Sequence, residues 1–402
     1  MFPYEEEVFI MINWLIRTFI KNSENLNDTA IHTAYGKLSS MVGIGCNLVL
    51  FLGKFLIGFF TGSVSITADA VNNLSDASSS IISLLGFKMA SKPADSEHPY
   101  GHGRYEYLAG LMVSVMIMVI GVNLFQGSIK KLLHPAPVEF TWISALILIV
   151  SILVKLWMSS FNKKIGNLIH SQTLLATAAD SRNDVISTTA VLIAAVVSHF
   201  SPFELDGFMG LAVACFILYS GFGLVKDTLN PLLGGAPDPN LVKQMKGKIL
   251  EYPGVLGTHD LMIHDYGPGR QFASVHVEMA AEADTLESHD VIDNIERDIL
   301  NQLGIHLVVH YDPIVTEGSA ANNIRIWLSE HIREINPLFS IHDLRIVPGV
   351  THTNVIFDCV VPIDCSWKDS EIKHRISRMV TEAFPDYCCI ITIDHDYAAF
   401  PH

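Results

Sequence analysis

Two apolar stretches, residues 68–85 and 174–195, carry acids and amides where a membrane-spanning helix normally has leucine. Their polar residues are spaced three and four apart, so each set shares one helical face. They are Asp69, Asn72, Asn73 and Asp76 in the first stretch and Asp180, Asn183 and Asp184 in the second. A carboxylate at mid-bilayer costs about 2.5–3.5 kcal/mol, so it normally faces a partner, a cavity or an ion. One such residue alone could be a contact between helices, but two matching faces predict an oxygen-lined cation site within the membrane.

The composition predicts a polytopic α-helical membrane protein. Half of the 402 residues are hydrophobic and the mean hydropathy is +0.35, which is too apolar for an ordinary soluble enzyme. We predict six spans, at about residues 41–60, 68–88, 107–126, 142–158, 173–197 and 208–224. Lys54 in the first span is expected to snorkel or to face the bundle. Residues 9–20 predict an amphipathic segment at the interface.

The distribution of charge predicts orientation and excludes some partners. Lysine and arginine cluster at one side of the predicted spans, so both termini are expected on the cytoplasmic side of the plasma membrane. Nearly all of the net charge of −15 lies in residues 227–402, which argues against nucleic acid and favours cations as partners. The six cysteines show no CxxC pair or disulfide framework. No hydrolase motif is present, so we expect a protein that is not an enzyme.

After residue 226 the pattern changes to short helices and strands in one order, repeated. The predicted elements are a helix at 240–252, strands at 257–264 and 271–279, a helix at 286–303 and a strand at 305–311, then again a helix at 320–335, strands at 340–346 and 353–362, a helix at 370–383 and a strand at 388–393. His259-Asp260-Leu261 recurs as His342-Asp343-Leu344. Asp312 lies 53 residues after His259, and Asp396 lies 54 after His342. We predict a duplicated α+β, ferredoxin-like domain.

The predicted domains follow from these two patterns. They are an N-terminal cytoplasmic or interfacial segment at 1–40, a six-helix transmembrane domain at 41–226, a cytoplasmic metal-binding α+β domain at 227–316 and a second, repeat-like α+β domain at 317–402.

The loop after the second span reads Pro93-Ala94-Asp95-Ser96-Glu97-His98-Pro99-Tyr100-Gly101-His102-Gly103-Arg104. Together with the paired four-residue spacings in spans two and five, this loop resembles the cation diffusion facilitator family over about residues 35–315. The resemblance implies a homodimeric, six-span exporter of divalent metal ions that works by proton antiport.

The resemblance also implies which residues form the sites. The transport-site positions fall on Asn72, Asp76, Asp180 and Asp184, with Asp69, Asn73 and Asn183 as accessory polar residues. The loop-site positions fall on Asp95, His98 and His102, and the cytoplasmic-domain positions on His259, His276, His289, His310 and Asp312. Arg104 and Asp227 resemble the charge interlock that holds the dimer together at the membrane surface.

The ligands at the transport-site positions are all hard oxygens. Zinc-carrying members of the family typically have histidine at the position of Asp180 and an acid at that of Asn72. Oxygen ligands suit Mn²⁺, Mg²⁺ or Ca²⁺, whereas imidazole suits zinc, and the set looks like that of the manganese-exporting branch. We therefore expect Mn²⁺ as cargo, with protons carried by Asp76, Asp180 or Asp184. The alternatives are a Zn²⁺ or Fe²⁺ exporter of the same fold and a membrane metal sensor that transports nothing.

The other sites have their own alternatives. The loop histidines could simply be solvated, while the histidine-rich cytoplasmic site suits Zn²⁺ as readily as Mn²⁺. In the second repeat, ligand character is kept at His342, Asp394, His395 and Asp396. The counterpart of His276 is expected near Phe357 or Cys359, which favours a structural remnant over a copied site.

Overall fold

The computed structural model describes residues 11–12, 14–20, 29–61, 64–133, 141–200, 206–316, 320–349, 352–362 and 365–396. The chain divides into two compact units. The helical unit comprises Met1–Gly235 with Tyr266–Arg270, and the C-terminal unit comprises Ala236–Asp265 with Gln271–His402.

The described part of the helical unit contains six long helices, each of which includes one predicted span. They are α1 (Thr29–Thr61), α2 (Val64–Ala90), α3 (Tyr105–Leu133), α4 (Trp142–Leu168), α5 (Gln172–Phe200) and α6 (Asp206–Leu229). Helix α1 packs along α2, α3 along α6, and α4 along α5. The helices are longer than the predicted spans because the helical hydrogen bonds continue into the polar residues at their ends.

Four of these helices are long and apolar enough to cross a membrane: α1 over Thr29–Ile57, α3, α4, and α6 over Gly207–Leu229. Helices α2 and α5 have 27 and 29 residues, so at about 1.5 Å per residue they are also long enough. They are less apolar because they carry the two polar faces found in the sequence.

Helical residues near the N-terminus bury one apolar face. Ile12, Ile16 and Ile20, spaced four apart, are at most 7% exposed and join a core cluster with side chains of α1, α2 and α4. Trp14, on the opposite face, and Phe19, near the edge of the buried face, are 61% and 65% exposed. The segment is therefore amphipathic, and its buried face packs against the bundle.

The C-terminal unit repeats the order helix, strand, strand, helix, strand. The elements are α7 (Pro239–Leu250), β1 (Val255–Asp265), β2 (Gln271–Ala280), α8 (Thr285–Leu303) and β3 (Ile305–Ile314), followed by α9 (Ala320–Ile335), β4 (Ser340–Pro348), β5 (Thr353–Pro362), α10 (Asp369–Ala383) and β6 (Tyr387–Asp396). In both three-stranded sheets the first pair of strands is antiparallel and the second pair parallel. The topology is thus the duplicated α+β fold that the sequence predicts.

Each repeat has its own hydrophobic core between one sheet face and its helices. In the first repeat Val275 and Ile295 are completely buried, and in the second Phe357 and Ile376 are. The inward residues alternate along β2 and β5, which leaves the other sheet face for polar side chains.

Strand register defines the correspondence between the repeats. His259 pairs with His276 across β1 and β2, and His342 pairs with Asp358 across β4 and β5. The counterpart of His276 is therefore Asp358, which lies between Phe357 and Cys359 in the region predicted from sequence. The β4–β5 connection is one residue shorter than the β1–β2 connection, so Asp358 follows His342 by one residue less than His276 follows His259. Asp358 thus keeps the sheet face of His276, whereas its two neighbours point into the core.

The same register corrects the last anchor of the repeat. Asp312 pairs with Glu278 across the parallel strands, and Asp394 pairs with the corresponding Val360. Asp394 is thus the counterpart of Asp312, and the predicted match with Asp396 was wrong. The Asp396 side chain lies outside the described residues.

Candidate metal sites

Asp76 on α2 and Asp184 on α5 converge on one cation, the ammonium of Lys155 on α4. Lys155 Nζ lies 2.7 Å from Oδ2 of Asp76 and 2.6 Å from Oδ2 of Asp184. The lysine side chain is only 3% exposed, so these charge-assisted hydrogen bonds are shielded from water. Carboxylates from two separate helices thus face each other across a single positive charge.

Sequence reasoning missed Lys155. The residue falls inside the predicted fourth span, where a charged side chain is costly and normally functional, and that position was the available signal. Lys54 faces the bundle, the second of its two predicted alternatives, because its Nζ donates to Ser151 Oγ at 2.8 Å. Ser151, the partner of Lys54, lies one turn before Lys155 on α4. Both side chains therefore lie on the same face of this helix.

A cavity of about 320 Å³ opens beside these ion pairs. It is lined by the predicted residues Asn72, Asn73, Asp76 and Asp184, by Lys54 and Lys155, and by hydroxyls that include Ser187 and Thr188. The cavity thus leaves space beside the carboxylates that is large enough for water or a cation.

Three other residues of the predicted polar faces occupy different places. Asp180 lies one helical turn before Asp184 and is 6% exposed. Asn183 is 4% exposed, and neither atom of its amide has a hydrogen-bond partner among the described residues. A buried amide normally finds a partner, so Asn183 retains unused ligand capacity. The side chain of Asp69 lies outside the described residues.

The loop between α2 and α3 brings its three predicted residues together. Asp95, His98 and His102 each offer a ligand atom, and these atoms lie within 4.8 Å of one another. Backbone amides of Glu97 and His98 donate to Asp95 Oδ1 at 3.0 and 2.7 Å; the His98 amide is the main reason that the pKa of Asp95 is lowered. His102 Nδ1 donates to the carbonyl of Pro93 at 3.0 Å, so Nε2 of the neutral ring keeps a free lone pair for a metal, 3.5 Å from Oδ2 of Asp95.

In the C-terminal unit, the first repeat brings four of the five predicted residues together. Three of them, His259, His276 and His310, are register partners in one row across the middle of the sheet. His276 Nδ1 lies 2.9 Å from Asp312 Oδ2, and His259 Nε2 lies 3.1 Å from the same oxygen. His310 Nε2 lies 3.3 Å from the other oxygen of Asp312. His289, the fifth predicted residue, lies on α8 and is 69% exposed. Among the described residues it belongs to none of the clusters of metal-ligand atoms.

Carboxylates control the charge on His259. Burial disfavours its protonated form, but Asp260, Glu278 and Asp312 outweigh burial, so the pKa of His259 is raised above its ordinary value. The pKa of Asp260 is lowered chiefly by its interaction with His259, whose Nδ1 lies 3.3 Å from Oδ2 of Asp260. A cluster that attracts a proton in this way also attracts a metal cation.

The two residues of the predicted charge interlock lie at helix ends. Arg104 directly precedes α3, and its guanidinium lies 4.5 Å over the ring of Tyr266. Asp227 is exposed in the last turn of α6. Their pairing across two chains stays a prediction.

Comparison with known proteins identifies the family. The family model for the cation efflux transmembrane domain matches residues 40–233, and that for the cytoplasmic domain of cation efflux proteins matches residues 237–314. The cation-efflux pump FieF of Shigella flexneri is 30% identical over 287 residues, which are 70% of this chain and 95% of that protein. An uncharacterized transporter of Methanocaldococcus jannaschii is 30% identical over 268 residues, 64% of this chain and 93% of that protein.

Both family models end before α9, so neither covers the second repeat of the C-terminal unit. They do cover all six long helices and the first repeat, except the first turns of α1. The resemblance seen in the sequence is confirmed: the chain belongs to the cation efflux, or cation diffusion facilitator, family of multi-pass membrane proteins that transport divalent metal cations.

Proposed function

We propose that this protein exports Mn²⁺ by proton antiport through a site formed by Asn72, Asp76, Asp180 and Asp184. The observation that carries the proposal is the convergence of Asp76 and Asp184 on the ammonium of Lys155. The ammonium marks a position where two carboxylates from different helices already hold one cation. Metal–oxygen distances of about 2.0–2.6 Å are only slightly shorter than these contacts.

The choice of Mn²⁺ rests on the chemistry of the ligands. Carboxylate and amide oxygens suit Mn²⁺, and no imidazole belongs to the proposed transport set. Asn183, which directly precedes Asp184 in the chain, has a further amide oxygen without a hydrogen-bond partner among the described residues. The relative from Shigella flexneri is named a cation-efflux pump, which leaves the metal open.

Lys155 gives the proposed exchange a physical basis. A divalent ion that binds Asp76 and Asp184 competes directly with the ammonium for the same oxygens. When the divalent ion leaves, the ammonium of Lys155 restores one positive charge and a proton taken up by one carboxylate restores the other. That proton needs the same oxygens as the metal, so metal and proton would exclude each other at this site, as antiport requires.

In this proposal the exporter is a dimer whose termini are cytoplasmic. Asp95, His98 and His102 would bind metal in the loop between α2 and α3, and Arg104 with Asp227 would link two chains. The cluster around Asp312 would bind Zn²⁺ or Mn²⁺ when metal is plentiful and bias the bundle between inward-facing and outward-facing states.

Flux measurements on purified protein in vesicles test this proposal. We expect Mn²⁺ to move faster than Zn²⁺ or Fe²⁺, and its flux to rise with an opposing proton gradient. Asp76→Asn should stop the flux, whereas Glu382→Gln, the same type of change at an exposed acid, should leave it intact. Flux indifferent to the proton gradient would contradict antiport, and no flux of any metal would favour a sensor.

A further inference from the structure

The two repeats of the C-terminal unit meet at a pair of stacked histidines. The rings of His259 and His342 lie 3.9 Å apart between centroids, with 23° between their planes. The two residues are counterparts in the repeated His-Asp-Leu sequence. The repeats therefore contact each other through equivalent positions, as two subunits of a symmetric dimer would.

A shared backbone irregularity positions the residue after each histidine. The register of β1 shifts between His259 and Met262, and that of β4 shifts between His342 and Arg345. Asp260 and Asp343 both have positive φ, at 50° and 53°. The left-handed conformation and the shift re-aim each aspartate. Both repeats thus build the same bulge with an acid at its tip.

His342 is buried among carboxylates from both repeats. Its Nε2 lies 3.5 Å from Asp394 Oδ2 in its own repeat and 3.9 Å from Asp260 Oδ2 in the other. Asp260, His342 and Asp394 offer three ligand atoms within 4.8 Å of one another. On the other side of the ring, Nδ1 lies 3.6 Å from Asp343 Oδ2.

The imidazole of His342 has no hydrogen bond to any of these groups. Its side chain is 3% exposed, yet neither ring nitrogen has a hydrogen-bond partner among the described residues. Both nitrogens of His259, whose side chain is 10% exposed, are in the same state. Buried imidazole nitrogens without partners are unfavourable. Bonding to a metal ion would satisfy them.

From this arrangement we propose a metal site between the repeats, in which Asp260, His342 and Asp394 bind one divalent first-row transition cation. It adjoins the cluster of His259, His276 and Asp312 but takes two of its three ligands from the second repeat, beyond the region matched by the family models.

The second repeat keeps only part of the first repeat's ligand set. His342 and Asp394 correspond to His259 and Asp312, while the position of His276 is taken by Asp358. Asp260, reaching over from the first repeat, supplies the third ligand. One imidazole with two carboxylates suits Mn²⁺, Fe²⁺ or Zn²⁺. A cation held there would cross-link the repeats, which explains how the second repeat could stay docked on the first.

Metal content and thermal unfolding of the full-length protein test the proposal. The protein in detergent would be stripped with chelator, loaded separately with Zn²⁺ and Mn²⁺, desalted and analysed by mass spectrometry for bound metal per chain. We expect the variants His342→Leu, Asp394→Asn and Asp260→Asn each to bind one ion fewer than the wild type when loaded with Zn²⁺, with Mn²⁺ or with either. His395→Leu should match the wild type, because its side chain is 43% exposed beside Asp369.

A double variant separates the new site from its neighbour. We expect His276→Leu with His342→Leu to lose one more ion than His276→Leu alone. In parallel, metal should raise the melting temperature of wild-type protein more than that of Asp394→Asn, which keeps every imidazole. Equal metal content in the wild type and all three ligand variants would overturn the proposal, and so would a double variant that loses no more than His276→Leu. If His342→Leu does not fold, the two Asn variants decide the matter.

Discussion

The ammonium of Lys155 lies 2.6 Å from the carboxylate of Asp184, inside a bundle of helices. Both residues line the cavity, but Lys155 is 3% exposed and Asp184 28% exposed, so the carboxylate is the more open member of the pair. A cation that enters the cavity meets Asp184 while this acid is already neutralised by lysine. In the proposed transport cycle, Lys155 would therefore compete with the metal for the carboxylates.

Replacement of Lys155 by Met should separate metal binding from transport. The change removes the competing charge and keeps a chain of similar length, so we expect Mn²⁺ to bind at least about tenfold more tightly, a gain of about 1.4 kcal/mol. Transport should slow because no ammonium displaces the metal. Without metal the protein should melt at a lower temperature, since two partly buried acids lose their charged partner, a loss that costs up to about 3–5 kcal/mol. Calorimetric titration measures the affinity, vesicle flux the transport, and thermal unfolding the melting temperature.

The matched control for this variant is Lys54→Met. Lys54 lines the same cavity but donates to Ser151, so its loss should change Mn²⁺ affinity by much less than the loss of Lys155. Unchanged or weaker Mn²⁺ binding by Lys155→Met would argue against competition.

Substitution of Asp180 by His should move selectivity toward zinc. An imidazole in place of one oxygen ligand favours Zn²⁺ over Mn²⁺, and we expect the ratio of Zn²⁺ to Mn²⁺ flux to rise about tenfold or more. Asp180→Asn is the control, because it removes the charge without adding nitrogen. If both variants change the ratio equally, imidazole is not the cause.

Metal should slow hydrogen exchange in the loop that holds Asp95. His102 already presents Nε2 toward Asp95, so binding requires little rearrangement. We expect added Mn²⁺ or Zn²⁺ to protect the amides of Glu97 and His98 in the wild type but not in His102→Phe. Glu97→Gln serves as the control, and equal protection in His102→Phe would exclude His102 as a ligand.

Thiol labelling should discriminate between two cysteines of the second repeat. The pKa of the Cys359 thiol is raised to about 12, chiefly because the side chain is buried. Cys388, in contrast, is exposed. Only thiolates react readily, so at pH 8 maleimide should label Cys388 and spare Cys359. Because the unfolded-state pKa is lower, near 8.5, the preference for the neutral thiol stabilises the fold below that pH. This contribution is lost as the pH rises toward 12. Peptide mass spectrometry measures the labelling, and rapid labelling of Cys359 in native protein would contradict its burial.

The bounds of a helix or strand could be predicted from sequence where a single residue pattern runs through the whole element. The bounds of α9 and β5 agree with those expected from sequence. Helical periodicity is uninterrupted in α9, and β5 is a short run rich in β-branched residues that ends at Pro362. Helix α4 extends ten residues past the predicted end at Met158. Those residues are too polar for a hydropathy window, but they remain helical because nothing in them breaks the backbone pattern.

The candidate sites were predictable only within single elements. Periodicity along α2 and α5 found Asp76 and Asp184, but the rotation of α4 that aims Lys155 at them depends on packing between helices. Likewise, the stacking of His259 on His342 follows from how two repeats meet, which no local spacing encodes.

Mn²⁺ flux through Asp184→Ala protein is the most direct measurement of whether the carboxylates of α2 and α5 bind the transported ion. The variant and the wild type would be reconstituted in equal amounts in vesicles. Equal metal content in their C-terminal sites would show that the variant is folded. We predict that Mn²⁺ flux falls to the level of vesicles without protein. Flux at the wild-type rate would contradict the assignment of this site.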